Sequence, residues 1–331
     1  MFKIFISNTT RENILSKEIG RKKKTLIYRM LQWNNGSLVE GLDDAAMEDY
    51  KSHPRKVLDN PSSLYVLDIP EDDAANIQRK YGVMCVSNEN PNVASLIDID
   101  DFFSPNPGEI KYNGWDQVLD NVEKLPSNAL LITDRYLFCP KKGSYSNGME
   151  NVYMILNELL PTEFEGGTYH VTIVFSAEHI NWELYRNFDN IVDGLNEIID
   201  GFRSPQKSKP ARNYDIMLEV LGLKTTRGIF RKLHSRRIVS NYYFVEATEQ
   251  LAAFNGNLTG ATQQVIIPLA LFTKSGLAGP SSLPLESIDQ TIKSFQKFNE
   301  KNKVMDDNLF YYAINDDSID SPDIMKNRLF K

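Results

Sequence analysis

Apolar residues gather first in the short run Phe2–Ile6, a strand pattern, and again in Leu64–Ile69 (LYVLDI). Pro70 and the acids Glu71, Asp72 and Asp73 then open a helix that runs to Tyr81. Proline fits the first helical turn, and carboxylates favour the positive end of the helix dipole. Gly82 ends the helix, and Val83–Ser87 (VMCVS) returns as a strand. Strand, helix, glycine and strand in such a short span predict a βαβ unit. A polar passage with Pro91, Pro105 and Pro107 follows, which places a domain boundary near Pro107–Asn113. The expected organisation is a small α/β domain over residues 1–112 and a larger α/β domain over 113–331.

The second part opens its core with a strand over Asn128–Phe138 (NALLITDRYLF). Val152–Leu160 carries apolar residues at helical spacing and stops at Pro161, and Thr168–Phe175 alternates as a strand. Trp182, Tyr185, Phe188, Ile191, Val192, Leu195, Ile198 and Ile199 fall three or four apart, which predicts one long helix over Trp182–Phe202. Met217–Leu221, Arg237–Glu246 and Val265–Phe272 read as strands, Arg227–Leu233 as a helical turn and Leu285–Asn299 as a helix. Alternating strands and helices predict a mixed sheet with helices layered on it.

Composition adds bounds. Apolar residues make up 41% and charged residues 24% of the 331, an ordinary globular balance. The longest clean apolar run, Val265–Phe272, is far short of the ~20 residues that cross a bilayer. The N-terminus has no apolar signal core, and Cys85 and Cys139 match no metal or redox spacing. The expectation is a cytoplasmic protein with no transmembrane segment and no disulfide. Walker, CxxC, HExxH and GxSxG patterns are missing, so no cofactor is expected.

Charge is uneven. The net charge is -7, yet the first 38 residues hold eight basic and two acidic side chains. Residues 39–123 hold 18 acidic and six basic ones. From Arg203 to Arg237, ten basic residues face only Asp215 and Glu219. A basic stretch inside an acidic protein is a phosphate-binding candidate, in which Arg227, Arg231, Lys232 and Arg237 would take part. The acidic 39–123 segment could instead meet a basic protein partner.

The chemistry-bearing pattern is HSRRIVSN, with His234, Arg236 and Asn241 at offsets 0, 2 and 7. On a strand, offsets 0 and 2 share a face, where an imidazole and a cation can meet one phosphate. These residues resemble a degenerate form of the phospholipase D superfamily motif, His-x-Lys-x-x-x-x-Asp, with arginine for lysine and asparagine for aspartate. The order of strands and helices around them is similar to one superfamily half, and to the phospholipase D-like C-terminal domain of MIT-domain proteins, over roughly residues 115–331. The resemblance implies a layered mixed-sheet fold. It assigns His234 to attack on phosphorus, Arg236 to phosphate neutralisation and Asn241 to the place of the supporting carboxylate. The Gly-Ser pair of the family is replaced by Thr248 and Glu249. The pattern therefore points to binding of a polyanion, a nucleic-acid backbone above all, on a catalytically degenerate domain. The alternatives are a dimeric phosphodiesterase or nuclease that brings two His234 together, and an interaction module of a larger assembly.

Further candidates are weighed against simpler readings. HPRKVLDN repeats the spacing with His53, Arg55 and Asn60, but Pro54 and Pro61 mark it as a loop. His170 and His179 read as packed or capping residues. Arg135, after Asp134 at a strand end, reads as an ion-pair member or as a companion of Arg236. Asp68, Asp98, Asp100 and Asp101 could be read as a divalent-metal cluster, but the later acids sit in a proline-rich loop, so no metal site is expected.

Overall fold

The protein is described by a computed structural model over residues 3–17, 39–88, 126–139, 148–208, 210–223, 236–247, 266–270, 293, 309–313 and 326–330. Its first sheet has four strands, β1 (Ile4–Ser7), β2 (Val39–Leu42), β3 (Leu64–Leu67) and β4 (Met84–Ser87), in the order β2-β1-β3-β4. All neighbours in it are parallel. Parallel strands are covered on both faces, and accordingly all four residues of β3 are buried. Helices α1 (Asn8–Lys17), α2 (Asp44–Ser52) and α3 (Glu71–Tyr81) link these strands. Asp43 caps α2 by accepting from the Ala46 N–H at 2.8 Å. Phe5 stacks on Tyr65 with ring centroids 4.7 Å apart, in a core that also holds Met47, Val57 and Ile77.

The βαβ reading of the sequence corresponds to β3, α3 and β4. Gly82 ends α3 with φ 61°, and a Cβ there would lie 2.0 Å from the Ser127 carbonyl oxygen. Glycine is therefore needed both for the left-handed cap and for the approach of the next part of the chain.

The second sheet has seven described strands in the order β10-β9-β8-β5-β6-β7-β11. They are β5 (Ala129–Thr133), β6 (Thr168–Ser176), β7 (Asp215–Leu223), β8 (Arg236–Ser240), β9 (Tyr243–Ala247), β10 (Ile266–Ala270) and β11 (Leu309–Ala313). The central β5, β6 and β7 are parallel and the flanking pairs antiparallel, so the protein is a mixed α/β structure. The segments Asn128–Phe138, Thr168–Phe175 and Arg237–Glu246 all contribute strands to this one sheet. Pro268 sits in β10, an edge strand among those described, where a missing N–H is tolerated.

Four expectations change. Arg237–Glu246 is not one strand but the hairpin β8–β9, with Val239 opposite Phe244 and Asn241–Tyr242 in the turn. The strand from Asn128 stops at Thr133, because Asp134 accepts the Tyr136 N–H at 2.8 Å and turns the chain. The long helix over Trp182–Phe202 is two helices, α5 (Trp182–Tyr185) and α6 (Phe188–Arg203). Between them Arg186 has φ 61°, and Asn181 and Asn187 each cap a new start. Helix α4 (Gly148–Leu159) begins four residues before the expected Val152. The elements expected at Arg227–Leu233 and Leu285–Asn299 lie outside the described residues, except for Lys293. Cys85 is buried, Cys139 is half-buried, and both are free thiols. Among the described residues no helix is long and apolar enough to cross a membrane.

Candidate anion-binding site

After α2 the chain enters a 3-10 turn, Pro54–Asp59, with the proline in its first positions. Val57 is the buried anchor of that turn, while Arg55, Lys56 and Asp59 stay exposed. Asp49, one turn before the end of α2, ties the entry. Its carboxylate lies 3.1 Å from His53 Nδ1 and pairs with the Lys56 ammonium. Those contacts hold the Asp49 carboxyl below the usual carboxylate range, the Lys56 hydrogen bond first.

The opposite wall comes from the other end of the sequence. Residues 326–330 lie against the second sheet because Glu219, fully buried in β7, accepts from the backbone N–H groups of Lys326 and, at 3.1 Å, Asn327. Thr172 donates to the same carboxylate at 2.7 Å, and Asn327 Nδ2 donates to the Leu130 carbonyl at 2.8 Å. A buried carboxylate met by three donors is the arrangement such a group requires. This anchor fixes Arg328. Its backbone N–H donates to His170 Nδ1 at 3.1 Å, and its Nη2 donates to the Thr168 carbonyl at 2.7 Å. In the first bond the imidazole Nδ1 is the acceptor.

Between these walls lies a cavity of about 610 Å³, lined by His53, Arg55, Lys56, Asp59, His170 and Arg328 together with Leu58, Pro61 and Gly166. Three cations face one carboxylate across it. Arg55 has no acidic partner among the described residues. Its guanidinium passes over the backbone of Gly167, where φ is 92° and a Cβ would come within 3.3 Å of Nη2. Arg328 Nη1 is enclosed with no hydrogen-bond partner. Burial, and then the facing Arg55 charge, bring Arg328 down to about 10 against the favourable pull of Tyr169, so it remains a cation at neutral pH.

The cavity borders the joint between the two sheets. Asn241, at the hairpin tip, accepts the Asn128 and Ala129 N–H groups at 3.0 and 3.2 Å and donates to Ser62 Oγ at 2.9 Å and the Pro61 carbonyl at 3.2 Å. Tyr242 accepts the Met84 N–H at 3.0 Å and donates to the Ser63 carbonyl at 2.7 Å. Both side chains are buried, and burial pushes the Tyr242 phenol well above its ordinary range. Pro61 thus belongs at once to the joint and to the cavity lining.

The residues singled out in the sequence scatter. His234, Arg227, Arg231 and Lys232 lie outside the described residues, and Arg236 is described only as the first residue of β8. Asn241 is occupied as a joint, with its side-chain donor and acceptor sides both in use. Arg237 stands opposite Thr133, and Arg135 follows two residues later, so these two reach the C-terminal end of β5. Arg135 lies 5.3 Å from the Tyr136 ring, which also packs on His179 at 4.7 Å. Burial and then Arg135 lower the His179 pKa. His170, by contrast, pairs with Ala129 at the opposite end of β5. Of the acidic cluster, Asp68 accepts from Asn88 and the other three lie outside the described residues; no metal-ligand group occurs among those described. Sequence reading passed over Arg328 and set Arg55 aside as a loop residue. No local signal links two arginines 273 positions apart, although the repeated His-x-Arg spacing did mark Arg55. No protein-family model matches the chain, and no curated protein is significantly similar to it.

Proposed function

We propose that this protein binds polyanions, a nucleic-acid backbone in particular, through the cavity between its two sheets. The observation that carries this reading is the pair Arg55 and Arg328, two guanidiniums held on the same stretch of backbone, neither of them in an ion pair with a carboxylate among the described residues. Guanidiniums bind phosphate oxygens in forked pairs, and a cation with an unused donor gains most from an arriving anion. Within the same proposal, residues 113–331 are a catalytically degenerate phospholipase D-like domain. Arg236, at the start of β8, then stands at the end of β5 that also holds Arg135 and Arg237, a second cationic region.

Fluorescence anisotropy of a labelled single-stranded oligonucleotide tests the reading. Affinity should fall linearly with the logarithm of salt concentration, and Arg55→Ala should weaken it at least about tenfold and lower the slope by about one phosphate contact. Salt-independent binding, or binding that Arg55→Ala and Arg328→Lys both leave unchanged, would remove the cavity from the function.

A further inference from the structure

We infer that the carboxyl ends of β5 and β6 form a second site, apart from the cavity and independent of it, that holds one phosphate-sized oxyanion. Polar groups left without partners mark the place. Thr133 ends β5 and Ser176 ends β6, and each is 1% exposed. Neither hydroxyl has a hydrogen-bond partner. Arg135 Nε and His179 Nε2 are likewise enclosed without partners, although both residues are half-buried and reach solvent at the rim. A buried donor that nothing meets is destabilising, and folded proteins keep few of them. Here such groups gather within a few residues of two neighbouring strand ends.

The register brings them together. Thr133 is the partner of Val174, and Ser176 lies two residues further along β6, so both hydroxyls leave the same face of the sheet. The Ser176 N–H donates to the Arg135 carbonyl at 3.3 Å, which keeps the turn after β5 against the end of β6. His179 closes the 3-10 turn Ala177–His179 that follows β6. The Tyr136 ring joins it to Arg135, at 4.7 Å from the imidazole and 5.3 Å from the guanidinium. Carboxyl ends of parallel strands are where α/β sheets bind their ligands. All four groups can donate, and Arg135 makes no ion pair among the described residues, so the matching ligand is an acceptor. Four donors suit the oxygens of a phosphate better than the two of a carboxylate. Charge is balanced here, with Arg135 and Arg237 against Asp134 and the exposed Glu178, so this end does not gather a polyanion from a distance. Short hydrogen bonds select a single anion instead, with the Arg135 guanidinium as its counter-charge. Asp134 does not compete with that anion, because its carboxylate accepts the Tyr136 N–H.

The test is thermal unfolding of the full chain at constant ionic strength, in chloride and with rising inorganic phosphate. A ligand that binds only the folded state raises the midpoint with its concentration, and the wild-type rise should saturate. Thr133→Val and Ser176→Ala remove hydroxyls that bond to nothing, so in chloride their midpoints should equal or exceed that of the wild type. In phosphate each should lose at least about half of the wild-type rise, and Arg135→Gln nearly all of it. Arg55→Ala, in the cavity, should keep the rise, so the two sites fail separately. Dimethyl phosphate in place of inorganic phosphate identifies the source: a similar rise means a phosphodiester, and no rise means a free or terminal phosphate. A lower midpoint in chloride for both hydroxyl variants would overturn the second site, since the hydroxyls would then already serve the fold. It is equally overturned by a wild-type midpoint that phosphate does not raise, by a rise that Thr133→Val, Ser176→Ala and Arg135→Gln all keep, or by one lost only in Arg55→Ala.

Discussion

Two stretches of this chain carry histidine, arginine and asparagine at offsets 0, 2 and 7, and they meet different fates. In His234–Arg236–Asn241 the asparagine side chain is buried at a hairpin tip, where it accepts the backbone N–H groups of Asn128 and Ala129 at the start of β5 and donates to Pro61 and Ser62 in the turn before β3. In His53–Arg55–Asn60 the histidine and arginine are exposed on a cavity wall, and the arginine has no acidic partner among the described residues. The spacing is common to both, so spacing alone does not decide which copy keeps its polar groups available. Backbone setting decides it. Asn241 falls in a two-residue turn pressed between sheets, and Arg55 follows Pro54 on a short 3-10 turn whose one buried residue is Val57.

The largest consequence of that contrast is in stability. Asn241→Ala orphans the buried N–H groups of Asn128 and Ala129, at about 1–3 kcal/mol each, and should lower the unfolding free energy by about 2–5 kcal/mol. Urea denaturation followed by circular dichroism measures it. His53→Ala, at the matching place in the other copy, should shift stability by no more than about 0.5 kcal/mol, as exposed positions do. Equal losses from the two variants would erase the distinction between joint and cavity.

The second prediction reverses the comparison. Arg55→Ala should cost oligonucleotide binding about 1.5–3 kcal/mol, the range of a hydrogen bond to a charged group, while leaving the urea midpoint unchanged. Arg237→Ala, at the other end of β5, tests whether the cation cluster there contributes. A larger loss from Arg237→Ala than from Arg55→Ala would move the centre of binding to the C-terminal end of β5, opposite Arg237.

How far the sequence foretold this arrangement depends on how local each signal is. The β3–α3–β4 unit could be read directly, because Pro70, three acids and Gly82 act on their own neighbours. The membership of β5, β6, β8 and β9 in one sheet also followed from apolar runs. The hairpin turn was hidden because Tyr242, Tyr243 and Phe244 continue the apolar pattern through it; Ser240-Asn241 was the weak turn signal available. The split between α5 and α6 was hidden likewise, since the helical spacing of apolar residues continues across Arg186. The cavity could not be read at all. It needs Glu219 to capture residues 326–327 so that Arg328 meets Arg55, and no periodicity encodes a contact of that span.

The third prediction concerns the joint again, with a smaller change. Tyr242→Phe keeps the ring but removes the hydroxyl that accepts from Met84 and donates to Ser63. With the Met84 N–H left buried, the cost should be about 1–3 kcal/mol in urea denaturation. Because Ser63 is two residues from Pro61, the same variant should weaken oligonucleotide binding less than Arg55→Ala does. A stability loss below about 0.5 kcal/mol would mean that the Met84 N–H finds another acceptor.

The smallest effect is expected at Asp49, which sits behind the cavity wall and holds both Lys56 and His53. Its folded-state pKa is depressed below 3.8, first by the Lys56 hydrogen bond. The sign follows from that depression. The carboxylate's contribution to stability is fully present above the unfolded value and is lost as pH falls through the folded one. Asp49→Asn and wild type should therefore differ slightly in urea midpoint near neutral pH and converge as the pH drops below 3.8. Because the carboxylate is partly exposed to solvent, water and salt screen the difference. The binding consequence has the opposite sign. Removing the carboxylate releases Lys56 toward the cavity and takes one negative charge from its border, so oligonucleotide affinity should rise, by no more than about threefold at low salt. That gain should vanish as ionic strength increases, whereas the loss from Arg55→Ala should persist in part, since a direct phosphate contact is less screened than a charge at the rim. Weaker binding by Asp49→Asn would show that the carboxylate serves the cavity by positioning His53 and Lys56 for the anion, rather than by competing with it.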